Sequence, residues 1–174
     1  MGAAYFCFFQ ADRELRARFF IAYFACWTLL GIAMATVFAS VGPCFLGPLL
    51  GDQRFDEQMA YLRSANESYP VFVLRVQEGL AAGFRSGSSG LGSGITAMPS
   101  MHVSLAFLFF LAMRTVSWVA GIGFGFFALI ILIGSVHLAY HYAVDGYVSI
   151  IATWLIWTAS GPLARRVAGR AVKA

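Results

Sequence analysis

Three histidines and one aspartate are the residues of this chain best suited to chemistry. His137, His141 and Asp145 follow one another at intervals of four residues, and His102 stands apart. An imidazole can attack as a nucleophile or donate a proton near neutral pH, and a carboxylate can hold such a ring in one tautomer. Asp145 is the only acidic residue after Glu78. An ionisable side chain in such an apolar region is costly, which indicates a function for it.

The surroundings of His102 indicate a site for an anion. Pro99-Ser100 is typical of a helix start with Ser100 as the N-cap, so free backbone N–H groups and the positive end of the helix dipole would face a bound phosphate. His102 could then give a proton to a leaving oxygen while His141 attacks the phosphorus. Asp145 would orient the His141 ring if the two share a helical face. We therefore predict phosphoester chemistry, with Ser100 contacting the phosphate.

His137 has two interpretations. It could support His141 from behind, as a hydrogen-bonding histidine at the membrane interface. Alternatively, His137, His141 and Asp145 could offer three ligands to zinc, although this spacing also arises on any amphipathic helix. The three cysteines show no metal-site spacing. We favour the first interpretation and expect no metal and no other cofactor.

The composition requires a lipid environment. Of the 174 residues, 60% are hydrophobic and 11% charged, and the mean hydropathy is +0.75. Soluble domains are about half apolar and about one quarter charged. Because a small interior cannot hide this apolar excess, and because a helix satisfies its own backbone in lipid, we expect an all-α polytopic transmembrane bundle. Residues 1–174 form a single domain in this interpretation, and no nucleic-acid partner is expected.

Four apolar segments are the candidate membrane spans, at about 19–41, 101–116, 118–138 and 146–163. The first contains no charge and ends at Gly42-Pro43, whereas the second is short for a bilayer about 30 Å thick. Gly121 and Gly125 in the third span have the spacing of close helix packing.

Basic residues flank these spans on one side. Arg13, Arg16 and Arg18 precede the first span, Arg114 lies between the second and third, and a cluster over 165–173 follows the fourth. Such residues stay on the cytoplasmic side. Both termini are therefore predicted to be cytoplasmic. The histidines then lie on the outer face of the membrane, which is the cell membrane if the source is bacterial.

The outer loop over 42–99 is long enough to indicate a function. Apolar spacing predicts one helix between Asp52 and Asn66 and a second from Pro70 to about Phe84, both lying on the bilayer surface. A flexible Gly/Ser-rich stretch over 85–94 follows.

Two segments resemble signatures of the type 2 phosphatidic acid phosphatase superfamily. Ala97-Met-Pro-Ser-Met-His102 resembles the signature Pro-Ser-x-His, and Ser135-Val-His-Leu-Ala-Tyr-His141-Tyr-Ala-Val-Asp145 resembles Ser-Arg-x5-His-x3-Asp. The ending Tyr-His-Tyr-x-x-Asp-Gly and the segment Val41-Gly-Pro-Cys-Phe are similar to the inositol phosphorylceramide synthase branch. The resemblance extends from about Asp12 to the C-terminus.

The resemblance implies roles and a substrate class. His141 would be the nucleophile that becomes phosphohistidine, Asp145 its orienting partner, and His102 the acid that protonates the departing alcohol. No metal takes part. The substrate would be a membrane lipid or isoprenoid phosphate, and in the synthase branch an alcohol replaces water as the acceptor.

The chain also departs from the family pattern. Val136 replaces the arginine of the third signature, and no Lys-x6-Arg-Pro signature is found. Arg85 or Arg75 is the candidate for the missing phosphate-binding charge. The family core has six spans rather than four, and residues 1–9 resemble the stub of an earlier span.

Several functions remain open. A lipid phosphatase and a headgroup phosphotransferase share the same covalent step, and the branch resemblance favours the phosphotransferase. A catalytically inactive, truncated relative with a structural or lipid-binding role is the alternative. A transporter with a histidine and aspartate proton relay is disfavoured, because four spans without inverted repeats do not suit one. The oligomeric state is not predicted.

Overall fold

The computed structural model describes residues 11–87 and 95–170, and all regular structure in this part of the chain is helical. The predicted all-α fold is therefore confirmed. The N-terminal stub over 1–9, the Gly/Ser-rich residues 88–94 and Lys173 lie outside the described residues. The described helices are α1 (Arg13–Val37), α2 (Pro43–Phe45), α3 (Asp56–Ser68), α4 (Phe72–Arg85), α5 (Met101–Met113), α6 (Trp118–His137) and α7 (Ala143–Arg170). π-Helical turns replace the α-helix over Cys26–Met34 within α1 and follow α2 over Leu46–Leu50.

Three of these helices are long and apolar enough to cross a bilayer. They are α1 with 25 residues, α6 with 20, and the 27 residues Ala143–Gly169 of α7. The chain is therefore an integral membrane protein. The observed α6 agrees with the predicted span. α1 and α7 continue beyond the predicted spans into turns that contain basic residues, because the spans were predicted from apolar residues alone. α1 also ends at Val37, four residues before the predicted end, because the backbone leaves the helix at Phe38.

The predicted second span is the shortest of the four. α5 has 13 residues, about 20 Å of helix, against about 30 Å of hydrocarbon. Its predicted N-cap is confirmed, because the Ser100 hydroxyl accepts a hydrogen bond from the Val103 N–H at 3.5 Å. The helix ends at Met113, three residues before the predicted span end at about 116, and the residues between turn towards α6.

The start of α5 is recessed below the end of α1. A methyl group added at Gly31 would lie 3.3 Å from the Met101 sulfur, so the first turn of α5 contacts α1 six residues before Val37. The non-helical segment before α5 fills the space between the start of α5 and the level at which α1 ends. Ala97 N–H donates to the Ser40 carbonyl at 2.7 Å, and the Thr96 hydroxyl donates to the Ala35 carbonyl at 3.3 Å. This segment is thereby held against α1.

The bundle core forms where α1, α5 and α7 meet. Its buried side chains are Phe19, Ala22, Cys26, Leu30, Leu108, Leu111, Ala112, Met113 and Trp157. The Ser104 and Thr153 hydroxyls are hydrogen-bonded at 2.7 Å within the bundle, an interhelical contact that suits an apolar surrounding. α6 packs on α5 through glycines as predicted, since a methyl group at Gly121 would lie 2.9 Å from the Arg114 Cβ atom.

The outer helices α3 and α4 are anchored on the end of α6. The Gln58 amide donates to the carbonyls of Val136 and His137, both at 2.9 Å, and the Gln77 amide donates to the Leu138 carbonyl at 2.8 Å. The last carbonyls of a helix have no partner within it, so these two amides bond acceptors that the end of α6 leaves accessible. An apolar cluster strengthens the contact through Cys44, Phe45, Met59, Leu62, Leu74, Ala81 and Ala139. Both predicted outer helices exist, shifted by a few residues.

The opposite end of the bundle is fixed by arginine contacts. The Arg18 guanidinium donates to the Trp157 carbonyl at 3.1 and 3.0 Å, and its Cζ atom lies 4.1 Å from the Trp157 ring centroid. Arg165 lies 3.8 Å from the Glu14 carboxylate. The beginning of α1 and the end of α7 therefore meet far from the histidines.

Candidate active site

His102 and His141 come together between the start of α5 and the loop before α7. Their ring centroids lie 6.0 Å apart, with the ring planes inclined by 61°. His102 is exposed, whereas His141 is 7% exposed. A phosphorus atom about 3–3.5 Å from one nitrogen, with its leaving oxygen about 2.6–3.2 Å from the other, suits this separation. One ring is therefore accessible and the other is held inside the protein.

A backbone carbonyl holds the His141 ring. Its Nδ1 atom lies 2.6 Å from the Ala97 carbonyl oxygen. A carbonyl oxygen only accepts hydrogen bonds, so Nδ1 carries the proton and donates it in this contact. Nε2 is then the nitrogen with the free lone pair in the neutral ring. This contact ties the nucleophile candidate to the segment that precedes α5.

Asp145 lies beside His141 but does not accept its hydrogen bond. The Asp145 Oδ2 atom is 3.7 Å from His141 Nδ1, and it accepts a hydrogen bond from the Tyr142 N–H at 2.8 Å. His141 precedes α7 and Asp145 is its third residue, so the expected common helical face is absent. A carboxylate at this position that accepts the N-cap N–H forms half of a capping box. Asp145, 1% exposed, can therefore act on His141 through its charge while it caps α7.

The side chains of three other predicted site residues contact groups other than the two histidines. Ser100 is fully buried and its hydroxyl caps α5. Arg85 is exposed, and its Nε–H donates to the Ala81 carbonyl of its own helix at 3.3 Å. The exposed His137 packs its ring against Tyr61, with centroids 5.8 Å apart, rather than behind His141. The alternative cation, Arg75, is also exposed.

A cavity of about 540 Å³ opens beside the histidine pair. Its polar walls come from His102, His141, Thr96, Ser135 and Tyr140, and the rest is largely apolar. Within residues 11–87 and 95–170, no arginine or lysine lines this cavity. The imidazoles and the start of α5 are therefore the sources of positive potential among its described walls.

Tyr140 is a wall residue that the sequence analysis did not select. Burial, with a smaller contribution from the nearby Cys44, raises the pKa of the Tyr140 phenol above its usual value. The phenol therefore stays protonated at neutral pH and can donate a hydrogen bond to a bound anion. Its position directly before His141, within the segment that resembles the third signature, was the signal available in the sequence.

The loop that carries Tyr140 is fixed by a close backbone contact. A methyl group at Gly42 would lie 2.2 Å from the Tyr140 carbonyl oxygen, so only glycine allows this approach. Cys44 N–H donates to the Ala139 carbonyl at 2.9 Å. Residues 42–44 thereby position the loop between α6 and α7, which presents His141.

The zinc alternative lacks a ligand set in the described part of the chain. No group of three or more histidine, cysteine, aspartate or glutamate side chains is placed there to hold a metal ion. The His137 ring faces Tyr61, whereas His141 contacts Ala97. The three residues proposed as zinc ligands therefore do not converge.

Comparison with known proteins gives one match. A family model described as the PAP2 superfamily matches residues 2–159 of the chain. The matched range includes His102, His141 and Asp145. No curated protein and no solved structure matches the chain significantly.

Proposed function

Because the chain belongs to the PAP2 superfamily, we propose that it cleaves a phosphoester of a membrane lipid or isoprenoid through a phosphohistidine at His141. Membership supports a phosphatase- or phosphotransferase-type enzyme of the membrane. The observation that carries the finer proposal is the 6.0 Å separation of the His102 and His141 rings beside a cavity. The reaction then proceeds in two displacements at phosphorus.

The first displacement starts at His141 Nε2. Its lone pair forms the N–P bond while the P–O bond to the lipid alcohol breaks, and the His102 imidazolium gives its proton to the departing oxygen. The His141 proton stays on Nδ1, which continues to donate its hydrogen bond to the Ala97 carbonyl. The His141 ring becomes positively charged, and the Asp145 carboxylate 3.7 Å away stabilises that charge.

The second displacement regenerates the enzyme. Neutral His102 takes a proton from an incoming hydroxyl group, whose oxygen attacks phosphorus and breaks the N–P bond to His141. Water as the acceptor gives hydrolysis, and an alcohol gives headgroup transfer. The same residues serve both reactions, so the acceptor decides which one occurs.

The phosphate oxygens require donors near the two rings. The first turn of α5 directs backbone N–H groups and a charge of roughly +0.5 towards this region. Tyr140 lines the same cavity, and its hydroxyl is the further donor in this proposal. These groups replace the guanidinium that the resemblance led us to expect from Arg85.

The charge of the cavity favours a phosphodiester as the donor. A phosphomonoester carries about −1.5 to −2 charge near neutral pH, whereas a phosphodiester carries a single negative charge. The described walls offer one imidazolium and a helix start, opposed by Asp145. We therefore favour a phosphodiester donor, and the branch resemblance favours an alcohol as the acceptor, which together describe an inositolphosphotransferase-like reaction.

The test supplies purified protein in vesicles with matched diester and monoester lipids, with and without polyol or lipid alcohol acceptors. We expect a new phosphodiester that requires both the acceptor and His141. Faster phosphate release from the monoester would contradict headgroup transfer and leave the phosphohistidine step intact. Absence of turnover with every donor would favour the alternative, an inactive lipid-binding relative. The lack of arginine and lysine among the described cavity walls is the observation that favours this alternative.

The orientation in the membrane follows from the arginines. Arg18 and Arg165 lie at the end of the bundle opposite the histidine pair, and Arg114 follows the distal end of α5. We propose that this end is cytoplasmic and that the histidines lie on the outer side. We expect an impermeant maleimide to label the Tyr69→Cys variant in intact cells. Labelling only after lysis would show the opposite orientation.

A further inference from the structure

Most of the cavity beside the histidines is hydrocarbon. Much of its apolar wall comes from Gly31 and Ala35 on α1, Ile131 on α6, and a row of side chains on α4. A phosphate between the two imidazoles would occupy only the polar side of this space. The remaining volume suits an apolar group covalently attached to that phosphate.

The cavity reaches below the ends of the membrane-spanning helices. Ile131 precedes the end of α6 at His137 by six residues, which is about 9 Å of helix. Gly31 likewise precedes the end of α1 at Val37 by six residues. Both helices are long enough to span a bilayer, so this part of the cavity lies at a depth where lipid chains begin.

α4 closes the cavity on its outer side. Its buried residues Leu74 and Ala81 belong to the cluster that holds the outer helices, Val73 and Val76 line the cavity, and Leu80 does both. α4 therefore presents one apolar row to the protein and a second row to the cavity.

Val76 marks the opening. Its side chain lines the cavity and is also 54% exposed, so the cavity reaches the surface past this residue. Phe72 and Phe84 continue the same stripe of α4 at intervals of four residues through Val76 and Leu80, and both are exposed. Exposed aromatic and aliphatic groups in such a row favour contact with the bilayer interface.

From these contacts we propose that α4 is the chain-binding wall of the enzyme. The hydrocarbon chain of the lipid substrate enters from the bilayer past Val76 and lies against Val73 and Leu80, with its phosphate between His102 and His141. The side chains at these three positions then select the length and bulk of that chain. This proposal rests on the proposed function and assigns to the outer loop a direct role in substrate choice.

The kinetic test introduces tryptophan at two cavity-lining positions of α4 and at one control position. Val76→Trp and Leu80→Trp are expected to lower the ratio of kcat/KM for long-chain over short-chain substrates by at least about tenfold. Val119→Trp is the matched control, because Val119 is an exposed residue of α6 outside the described cavity walls. It should leave the ratio within about twofold. An unchanged ratio in both α4 variants would overturn the proposal.

A binding test separates this proposal from the proposed chemistry. His141→Ala protein in vesicles is irradiated with a monoacyl phospholipid that carries a diazirine in its chain, and labelled peptides are identified by mass spectrometry. Labelling of α4 that saturates and is displaced by unlabelled monoacyl lipid supports the chain-binding wall, even where no turnover is detected. Non-saturable labelling of α4, equal to that of the lipid-facing side of α6, would overturn it.

Discussion

The two ends of the helix bundle carry different kinds of polar residue. At one end, Arg18 and Arg165 contact Trp157 and Glu14. At the other end, His102 and His141 meet beside a cavity whose walls, in the part of the chain the structure describes, contain neither arginine nor lysine. An arginine keeps its charge at all ordinary pH values, whereas an imidazole gains and loses a proton near neutrality. The permanent charges therefore suit anchoring and orientation, and the titratable groups suit catalysis.

The comparison also shows how differently the two ends hold their key side chains. Arg18 donates directly to the backbone of another spanning helix, which makes it part of the packing. His141 is held by one carbonyl from the segment before α5, with a carboxylate nearby at 3.7 Å. Substitutions at the histidine end should therefore change the rate, and those at the arginine end should change the stability.

The largest expected effect on activity belongs to His141→Ala. Removing the nucleophile should lower kcat by at least about a thousandfold. His137→Ala provides the matched control, because the exposed His137 ring packs on Tyr61 outside the described cavity walls. Initial rates in vesicles should differ widely between the two variants. Equal losses would contradict the assignment of His141.

His102→Ala should have the next largest effect. Loss of a general acid lowers the rate by about 10²–10⁴-fold when the leaving group is an alcohol that needs a proton. A substrate that releases a nitrophenolate needs little protonation, so the first step of this variant should recover with it. A burst experiment measures that step alone. An equal loss with both leaving groups would remove His102 from the role of acid.

Asp145→Asn should have an intermediate effect. The amide oxygen can still accept the Tyr142 N–H, so α7 keeps its cap, but the negative charge beside His141 is lost. We expect a fall in kcat of about 10–100-fold with an unchanged far-ultraviolet circular dichroism spectrum. Asp145→Ala should also lower the melting temperature, because it removes the cap. A fully active Asp145→Asn enzyme would show that the charge is unimportant.

Tyr140→Phe should have a smaller effect, of about tenfold or less, from the loss of one hydrogen bond to phosphate. Because the pKa of Tyr140 is raised, its phenol remains a donor at neutral pH and beyond the pH at which an ordinary tyrosine ionises. The ratio of wild-type to variant rates should therefore stay constant from neutral to mildly alkaline pH. A ratio that collapses towards one in this range would mean that the phenol ionises there.

Arg18→Gln should have the smallest effect on activity. It removes the guanidinium that bonds the Trp157 carbonyl and stacks on the Trp157 ring. A loss of about 1–3 kcal/mol in the free energy of unfolding is expected, measured by denaturant titration in detergent. Turnover per folded molecule should stay within about twofold. A large loss of turnover without a loss of stability would break the division between the two ends.

The sequence predicted those features that depend on local patterns. The Ser100 cap, the bounds of α6 and the packing at Gly121 each follow from a few neighbouring residues. The meeting of His102 and His141 was also expected, because both lie at the same ends of neighbouring apolar segments.

The sequence could not predict contacts that depend on the path of a loop. The four-residue interval between His141 and Asp145 indicated a shared helical face, but α7 begins between them and the chain turns there. The partner of His141 is a backbone carbonyl at Ala97, and residue type does not encode such an acceptor. Arg85 was selected by charge alone, and its position at the exposed end of α4 was not apparent from composition.

The most direct test of the account is capture of the covalent intermediate. His102→Ala protein is mixed with a labelled lipid phosphoester that has a nitrophenolate leaving group, quenched in alkali and digested for mass spectrometry. Without His102 as the base for the second displacement, the account predicts that the phosphoryl group accumulates on the imidazole of His141. Steady turnover with no label on His141, or label on a different residue, would contradict it.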